Sequence, residues 1–348
     1  MRYPEFLKDG GRIGFIAPSF GCTTEPYTSL FKQALKRFGE KGYSTVIGPN
    51  AYASNGIGKS NTPEACGAEV NDFFLNDRCD AIISCGGGET MCEDLPFIDF
   101  EAVAKAAPKW YMGYSDNTNL TFTLPVLADT AAIYGPCAPS FGAEPVHPSL
   151  TDAFDVMRGK MLTVRNYPKW EREEADSRDD PYAPYNLTED FKLRAFNGSA
   201  EITGDNCNIS FSGRLIGGCL DCLVNLIGTP FDRTAGFVGK YARDGIIWFI
   251  EACDLNVMSI RRALWMMEQA GWLKNLSGFL VGRPLQYDDA WGDFDRIAAV
   301  MGMLGKYNVP VILDLDIGHL PPMMPIISGA FAEVDVKGNS IEIRHILK

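Results

Sequence analysis

The chain reads as an α/β protein of two domains: an N-terminal one built on a parallel sheet and a smaller C-terminal one of mixed α/β character. Three observations predict this. Short apolar runs alternate with amphipathic helical stretches through the first third of the chain. A second set of such runs begins near Cys207 and closes with two strands flanking the turn Lys337-Gly338-Asn339. Between the two sets, prolines from Pro139 to Pro184 and the acidic run 171–180 break the periodicity. At 348 residues the chain is also too long for one ordinary core.

In order, residues 12–18 (RIGFIAP) form a strand, and 27–41 a helix with Leu30, Phe31, Ala34, Leu35 and Phe38 on one face. Residues 44–47 make a second strand. Thr62 and Pro63 then supply the cap and first-turn proline of a helix running to about residue 75. A third strand, 80–85, leads directly into Gly86-Gly87-Gly88. A helix over 100–107, the strand and helix around Ser115 and a strand over 131–134 complete a first domain of residues 1–140. Residues 141–205 read as a linker with a surface excursion. The second domain, 206–348, has strands at 209–215, 245–250, 278–281 and 311–315. It also has helices at 220–227 and 259–270 and a closing hairpin of 331–336 with 340–346.

The net charge of -12, from 44 acidic and 32 basic residues, excludes nucleic acid and anionic membrane surfaces as expected partners. Charges are scattered through the amino terminus and no apolar run reaches membrane-span length, which predicts a cytoplasmic protein. The ten cysteines read as mostly buried thiols. Cys219 and Cys222 have metal or redox spacing but no second pair, so packing is the expected role.

Chemistry points to Ser115. In Lys109–Leu120 (KWYMGYSDNTNL) an apolar strand runs into a helix, and a serine at such a sharp turn has its hydroxyl lifted clear of the sheet. The plain structural reading is a helix cap. The triglycine lacks GxGxxG spacing, so a nucleotide loop is weakly supported. Glycines after a strand equally let Gly86, Gly87 and Gly88 approach a substrate and present amides to an oxyanion.

A serine nucleophile needs a base oriented by a carboxylate. Of three histidines, His147 lies in the proline-rich segment, and His345 shares a strand face with Ile341 and Ile343. His319, in a glycine- and proline-bounded loop, is the best base. Glu251, at the end of the run GIIWFI, is the expected orienting acid, with Asp254 its competitor. Trp170, Tyr182, Tyr185 and Phe191 look exposed on an irregular stretch, where they would either floor a substrate pocket or staple the loop down.

The order Ser115, Glu251, His319 is that of the α/β-hydrolases, but Gly113-Tyr114-Ser115-Asp116-Asn117 lacks the second glycine of GxSxG. Nearly end to end, the chain instead resembles the LD-carboxypeptidases and, more closely, the microcin C immunity proteins that share their fold. The resemblance rests on residues 13–19, Gly86-Gly87, 95–100, Gly113-Tyr114-Ser115-Asp116 and Tyr134-Gly135-Pro136. It continues through 213–218, Gly228-Thr229-Pro230, Phe249-Ile250-Glu251 and Gly318-His319.

The resemblance implies a flavodoxin-like, amidotransferase-like first domain carrying the nucleophile, with Glu251 and His319 of a catalytic triad supplied by the second. It also implies oxyanion amides from Gly87 and Asp116 and a homodimer. The three histidines are far apart in sequence and none has ligand spacing to a neighbour, so no metal is expected, and no cofactor. The chain departs from the family pattern at Ala252-Cys253-Asp254-Leu255-Asn256, where the LD-carboxypeptidase branch is acidic and proline-containing, and at Cys219, where asparagine is usual. The expected function is hydrolysis of an amide near a free carboxylate in an aminoacyl-nucleotide or peptide conjugate, a small-molecule or short-peptide substrate. The alternatives are a muramoyl-tetrapeptide LD-carboxypeptidase of murein recycling and a non-catalytic small-ligand binding protein.

Overall fold

The computed structural model describes residues 1–56, 58–174, 180–204 and 207–348. Part of the acidic run, 175–179, and the expected start of the second domain, 205–206, thus lie outside the described residues. The chain divides into two compact units. One comprises Met1–Met161, Glu173–Asn186 and Pro325–Ile327; the other comprises Leu162–Arg172, Leu187–Met324 and Ser328–Lys348.

In the first unit, strands β1 (Arg12–Ile16), β2 (Ser44–Ile47), β3 (Ala81–Ser84), β4 (Trp110–Gly113) and β5 (Ala132–Tyr134) pair in parallel in the order β2-β1-β3-β4-β5. The central strands β3, β4 and β5 are buried throughout, as expected where a parallel sheet is covered on both faces. Helices α1 (Tyr27–Glu40) and α2 (Pro63–Leu75) follow β1 and β2. The start of α2 is dictated locally, since the Thr62 side chain accepts from the Ala65 amide and Pro63 occupies the first turn, where its missing N–H costs nothing. Next come α3 (Phe100–Lys105) and the short helices α4 (Thr118–Thr121) and α5 (Thr123–Ala128).

The segment 141–205 is more ordered than a linker with an excursion. It contains α6 (Pro148–Met157), whose first turn holds Pro148 and is capped by His147, Nδ1 accepting from the Ser149 amide at 3.1 Å. The proline that reads as a breaker is here a helix starter. The segment also supplies β6 (Thr163–Arg165), β7 (Lys169–Trp170), β8 (Glu189–Asp190), β9 (Arg194–Asn197) and β10 (Ala200–Ile202).

In the second unit, β11 (Asn208–Cys219), β12 (Ile246–Glu251), β13 (Leu276–Gly282) and, beyond the small hairpin of β14 (Ala290–Trp291) with β15 (Phe294–Asp295), β16 (Pro310–Leu315) form a parallel core. β17 (Ile326–Ser328) leaves for the edge of the first sheet, beside β5, and β18 (Phe331–Lys337) with β19 (Ser340–Ile346) makes the closing hairpin. The second sheet has nine strands in the order β10-β9-β16-β13-β12-β11-β18-β19-β6, against six in the first. The C-terminal domain, expected to be the smaller, thus carries the larger sheet: antiparallel β6, β9 and β10, all from the proline-rich segment, extend it at both edges. Helices α7 (Leu220–Leu226), α8 (Thr234–Lys240), α9 (Val257–Gln269) and α10 (Arg296–Leu304) connect its strands. Trp248 of β12 stacks on Trp272 with ring centroids 5.7 Å apart, both fully buried.

No disulfide joins the ten cysteines, all of them among the described residues, and eight are buried. Among the described residues no helix is long and apolar enough to cross a membrane.

Candidate active site

In the first unit, three loops meet at the carboxyl ends of β1, β3 and β4, where ligands of such sheets bind. Ser115 follows β4 by one residue beyond Tyr114 and takes φ 61°, the left-handed region that a non-glycine residue occupies only at a cost of about 1–3 kcal/mol. The N-cap positions of the following turn and of α4 are Tyr114 and Asn117, so Ser115 is not the cap that the plain reading makes it. Its amide donates to the Tyr134 hydroxyl at 3.2 Å. Asn117 locks the turn, its side-chain amide donating to the carbonyls of Gly86 (2.8 Å) and Tyr114 (3.0 Å) and its oxygen accepting from Tyr111.

The glycine turn faces the serine. A Cβ on Gly87 would lie 3.3 Å from Ser115 Oγ, and one on Gly86 would lie 2.9 Å from the Phe20 carbonyl oxygen. Gly88 is closed off from the other side by Ser19, whose Oγ would be 2.2 Å from such an atom. Asp116, 2% exposed, accepts from Ser19 Oγ, from the Met91 amide at 3.0 Å and from Asn119 Nδ2 at 3.0 Å. Burial raises its carboxyl above the ordinary range, against the pull of these hydrogen bonds.

In the second unit, β12 ends on Glu251, 1% exposed, whose Oε2 lies 2.8 Å from His319 Nδ1. That contact fixes the orientation of the ring, with Nδ1 turned to the carboxylate. Burial works against a charge on His319. The Glu251 carboxylate and hydrogen bonds to Cys253 and Glu251 nonetheless hold its pKa well above the usual 6.5. Asp254, the competing acid, is exposed and donates its amide to Asp221 at 2.8 Å, so Glu251 is the partner of His319.

The loop bearing His319 is pinned at both ends. Asp316 receives the Tyr167 amide at 2.8 Å and an ion pair from buried Arg283, and its carbonyl accepts from Met324 at 2.7 Å. The Pro321 carbonyl accepts from Glu171 at 2.7 Å. Trp170 belongs to this support. It is 4% exposed, with the Arg283 guanidinium 4.7 Å above its ring and Tyr287 at 5.0 Å. Phe191 is likewise buried, while Tyr182 and Tyr185 are half-buried. The exposed setting expected for Trp170 and Phe191 is thus corrected: arginine–aromatic packing draws both under the loop.

Residues without a motif escaped the sequence reading. Cys253 is hydrogen-bonded to His319, and Asp221 fixes the strand end by accepting the Cys253 amide at 3.0 Å. Ser19 closes the site from the end of β1. Among the described residues no group of three or more histidine, cysteine or acidic side chains is placed to hold a metal. His345 is buried among the strand residues of β19, as its alternation with Ile341 and Ile343 predicts.

The chain matches the model of the LD-carboxypeptidase N-terminal domain over residues 13–135 and that of the LD-carboxypeptidase C-terminal domain over residues 212–334. It is 26% identical to the microcin C7 self-immunity protein MccF of Escherichia coli, over 97% of this chain and 94% of that protein. It is also 26% identical to a probable murein peptide carboxypeptidase of Bacillus subtilis (strain 168), over 95% of this chain and 91% of that protein. A structure of MccF in complex with adenosine monophosphate superposes with a TM-score of 0.82 at 22% identity, covering 100% of both chains, and shows the common fold. The chain belongs to the LD-carboxypeptidase family and is a carboxypeptidase-like serine hydrolase.

Proposed function

We propose that the protein hydrolyses an amide bond adjacent to a free carboxylate in aminoacyl-nucleotide or peptide conjugates, with Ser115, His319 and Glu251 as its catalytic triad. The observation that carries the residue assignment is the Glu251–His319 contact of 2.8 Å, paired with a serine held at φ 61° against a glycine turn. His319 Nε2 takes the proton of Ser115 Oγ as the oxygen attacks the carbonyl carbon, and the amides of Gly87 and Asp116 receive the developing oxyanion. The imidazolium, stabilised by Glu251, then returns its proton to the departing amine. Water deacylates the serine by the same path in reverse, giving a free acid and the regenerated enzyme.

The strand order 2-1-3-4-5 of the first sheet supports the flavodoxin-like reading of that domain. The nucleotide side of the substrate follows from the relatives. MccF has been solved with adenosine monophosphate and with aspartyl sulfamoyl adenosine, and its likeness to this chain is full-length. We further propose a cytoplasmic location, a homodimer as the family resemblance implies, and no nucleic-acid partner, in keeping with the net charge of -12. A second reading, LD-carboxypeptidase action on a murein tetrapeptide, is favoured by the equal 26% identity to the Bacillus protein.

Mass spectrometry after incubation with an aminoacyl sulfamoyl adenosine and with a murein tetrapeptide separates the two. Cleavage of the first is expected, and cleavage of the second alone would replace the first reading by the second. Ser115→Ala is expected to lose several orders of magnitude in rate while remaining folded. Full activity in that variant would end the nucleophile assignment.

A further inference from the structure

Behind the glycine turn lies an ion pair that the triad does not use. Lys59, 1% exposed, places Nζ 2.6 Å from Oδ1 of Asp94, which is fully buried in the 3-10 turn Met91–Phe97. The same ammonium donates to the Thr90 carbonyl at 3.1 Å and lies 3.4 Å from half-exposed Glu93. No other donor meets Asp94 among the described residues, and burial pushes its carboxyl up to about 7 against the pull of Lys59. A buried pair of this kind is seldom more stable than apolar residues of the same volume. Its position gives it another role.

Thr90, clamped by Lys59, is two residues from Gly88. The next amide, of Met91, donates to the Asp116 carboxylate, which also takes the Ser19 hydroxyl. A Cβ on Gly88 would lie 3.3 Å from Asp116 Oδ2 and 3.4 Å from the Gly58 carbonyl. The loop 58–60, the turn 86–91 and the residue after the nucleophile are therefore one bonded unit, with Lys59 at its back and Ser115 at its front. Asp94 and Asp116 are both buried, Asp116 adds to the cost of ionising Asp94, and Lys59 acts on both. Negative charge developing on a substrate oxygen at this turn would be opposed by the two carboxylates in a low-dielectric setting.

We infer that Lys59 is a positioning residue for the oxyanion site: clamped between Asp94 and the Thr90 carbonyl, it fixes the 86–91 turn against Asp116 and offsets the two carboxylates behind it. This rests on the serine-hydrolase reading of Ser115. The test measures the rate at which a fluorophosphonate phosphonylates Ser115, the serine oxygen bonding to phosphorus as fluoride leaves, together with kcat and KM.

Lys59→Met alone leaves Asp94 unpaired and is prone to misfold, so the deciding variant is Lys59→Met/Asp94→Leu, which removes both charges and keeps the volume. It is expected to fold with a Tm near that of the wild type. Its serine labelling and kcat should both fall about tenfold or more with KM unchanged, a fraction of the loss seen when an oxyanion donor is removed outright. Asp94→Asn, which keeps the cation, is expected to label at close to the wild-type rate. Wild-type labelling in the double variant would overturn the inference, as would a loss in Asp94→Asn equal to that in the double variant. A wild-type protein that is not labelled at all would instead overturn the nucleophile assignment on which the inference stands.

Discussion

Gly318 lies directly against the carboxylate of Glu251: a Cβ at residue 318 would stand 2.5 Å from Oε2, on a backbone with φ 105°. The chain can bring His319 onto Glu251 only because the preceding residue has no side chain. Gly318→Ala should therefore displace the imidazole, and a misplacement of about 1 Å costs on the order of a hundredfold in rate. Steady-state kinetics on the better substrate checks this, with circular dichroism to establish that the fold persists.

The charge on His319 sets the acid limb of the pH profile. As a base the ring must be neutral, and because its pKa is held well above 6.5, the rate should climb with pH through a midpoint higher than that of an ordinary histidine. Glu251→Gln removes the carboxylate that holds it up, so the limb should move to lower pH. The maximal rate should fall by about four orders of magnitude as the ring loses its tautomer and orientation. Profiles of kcat/KM for the two proteins are the measurement.

Gly87→Ala would place a methyl group 3.2 Å from Ser115 Cβ and 3.3 Å from Oγ. The turn then has to retreat, taking its amide away from the oxyanion, and a loss of about 10²–10³-fold in kcat is expected. Thermal unfolding should change little, since the residue faces the site rather than the core.

His345 governs part of the acid stability. Burial lowers its pKa from 6.5 to about 4, so the folded chain keeps the ring neutral. Its contribution is complete above pH 6.5 and is lost as the pH falls towards 4, because there the unfolded chain binds a proton that the folded one refuses. Urea unfolding at pH 7 and pH 4.5 should show a drop that is smaller by about 2 kcal/mol in His345→Leu than in the wild type.

Trp170 is enclosed by Arg283 and Tyr287 rather than open to a base. Trp170→Ala should cost about 3 kcal/mol or more of stability and weaken action on nucleotide and murein substrates alike, through the loop that carries His319. A KM raised for the nucleotide conjugate alone would restore the stacking role.

Much of this was legible in the chain itself. β1 to β4, α1, α2, β12 and the final hairpin follow from periodicity and caps, because each element buries a face whose spacing is written locally. Ser115, the glycine turn, Glu251 and His319 were legible for the same reason. Turns and strand ends that display side chains are marked by glycine, proline and the abrupt end of an apolar run.

Tertiary structure alone decided the rest. Pro148 starts a helix instead of ending order, because His147 caps it from outside any motif. β10 and β6 join the second sheet as its edge strands, with β9 next to β10, and their few residues carry too little pattern to stand out. The burial of Trp170 depends on Arg283, 113 positions away, and the pairing of Lys59 with Asp94 on a fold that brings a loop and a turn together. Periodicity encodes which face a residue presents. Which charge a buried group meets is encoded only in three dimensions, because electrostatic partners are selected by distance and dielectric rather than by spacing along the chain.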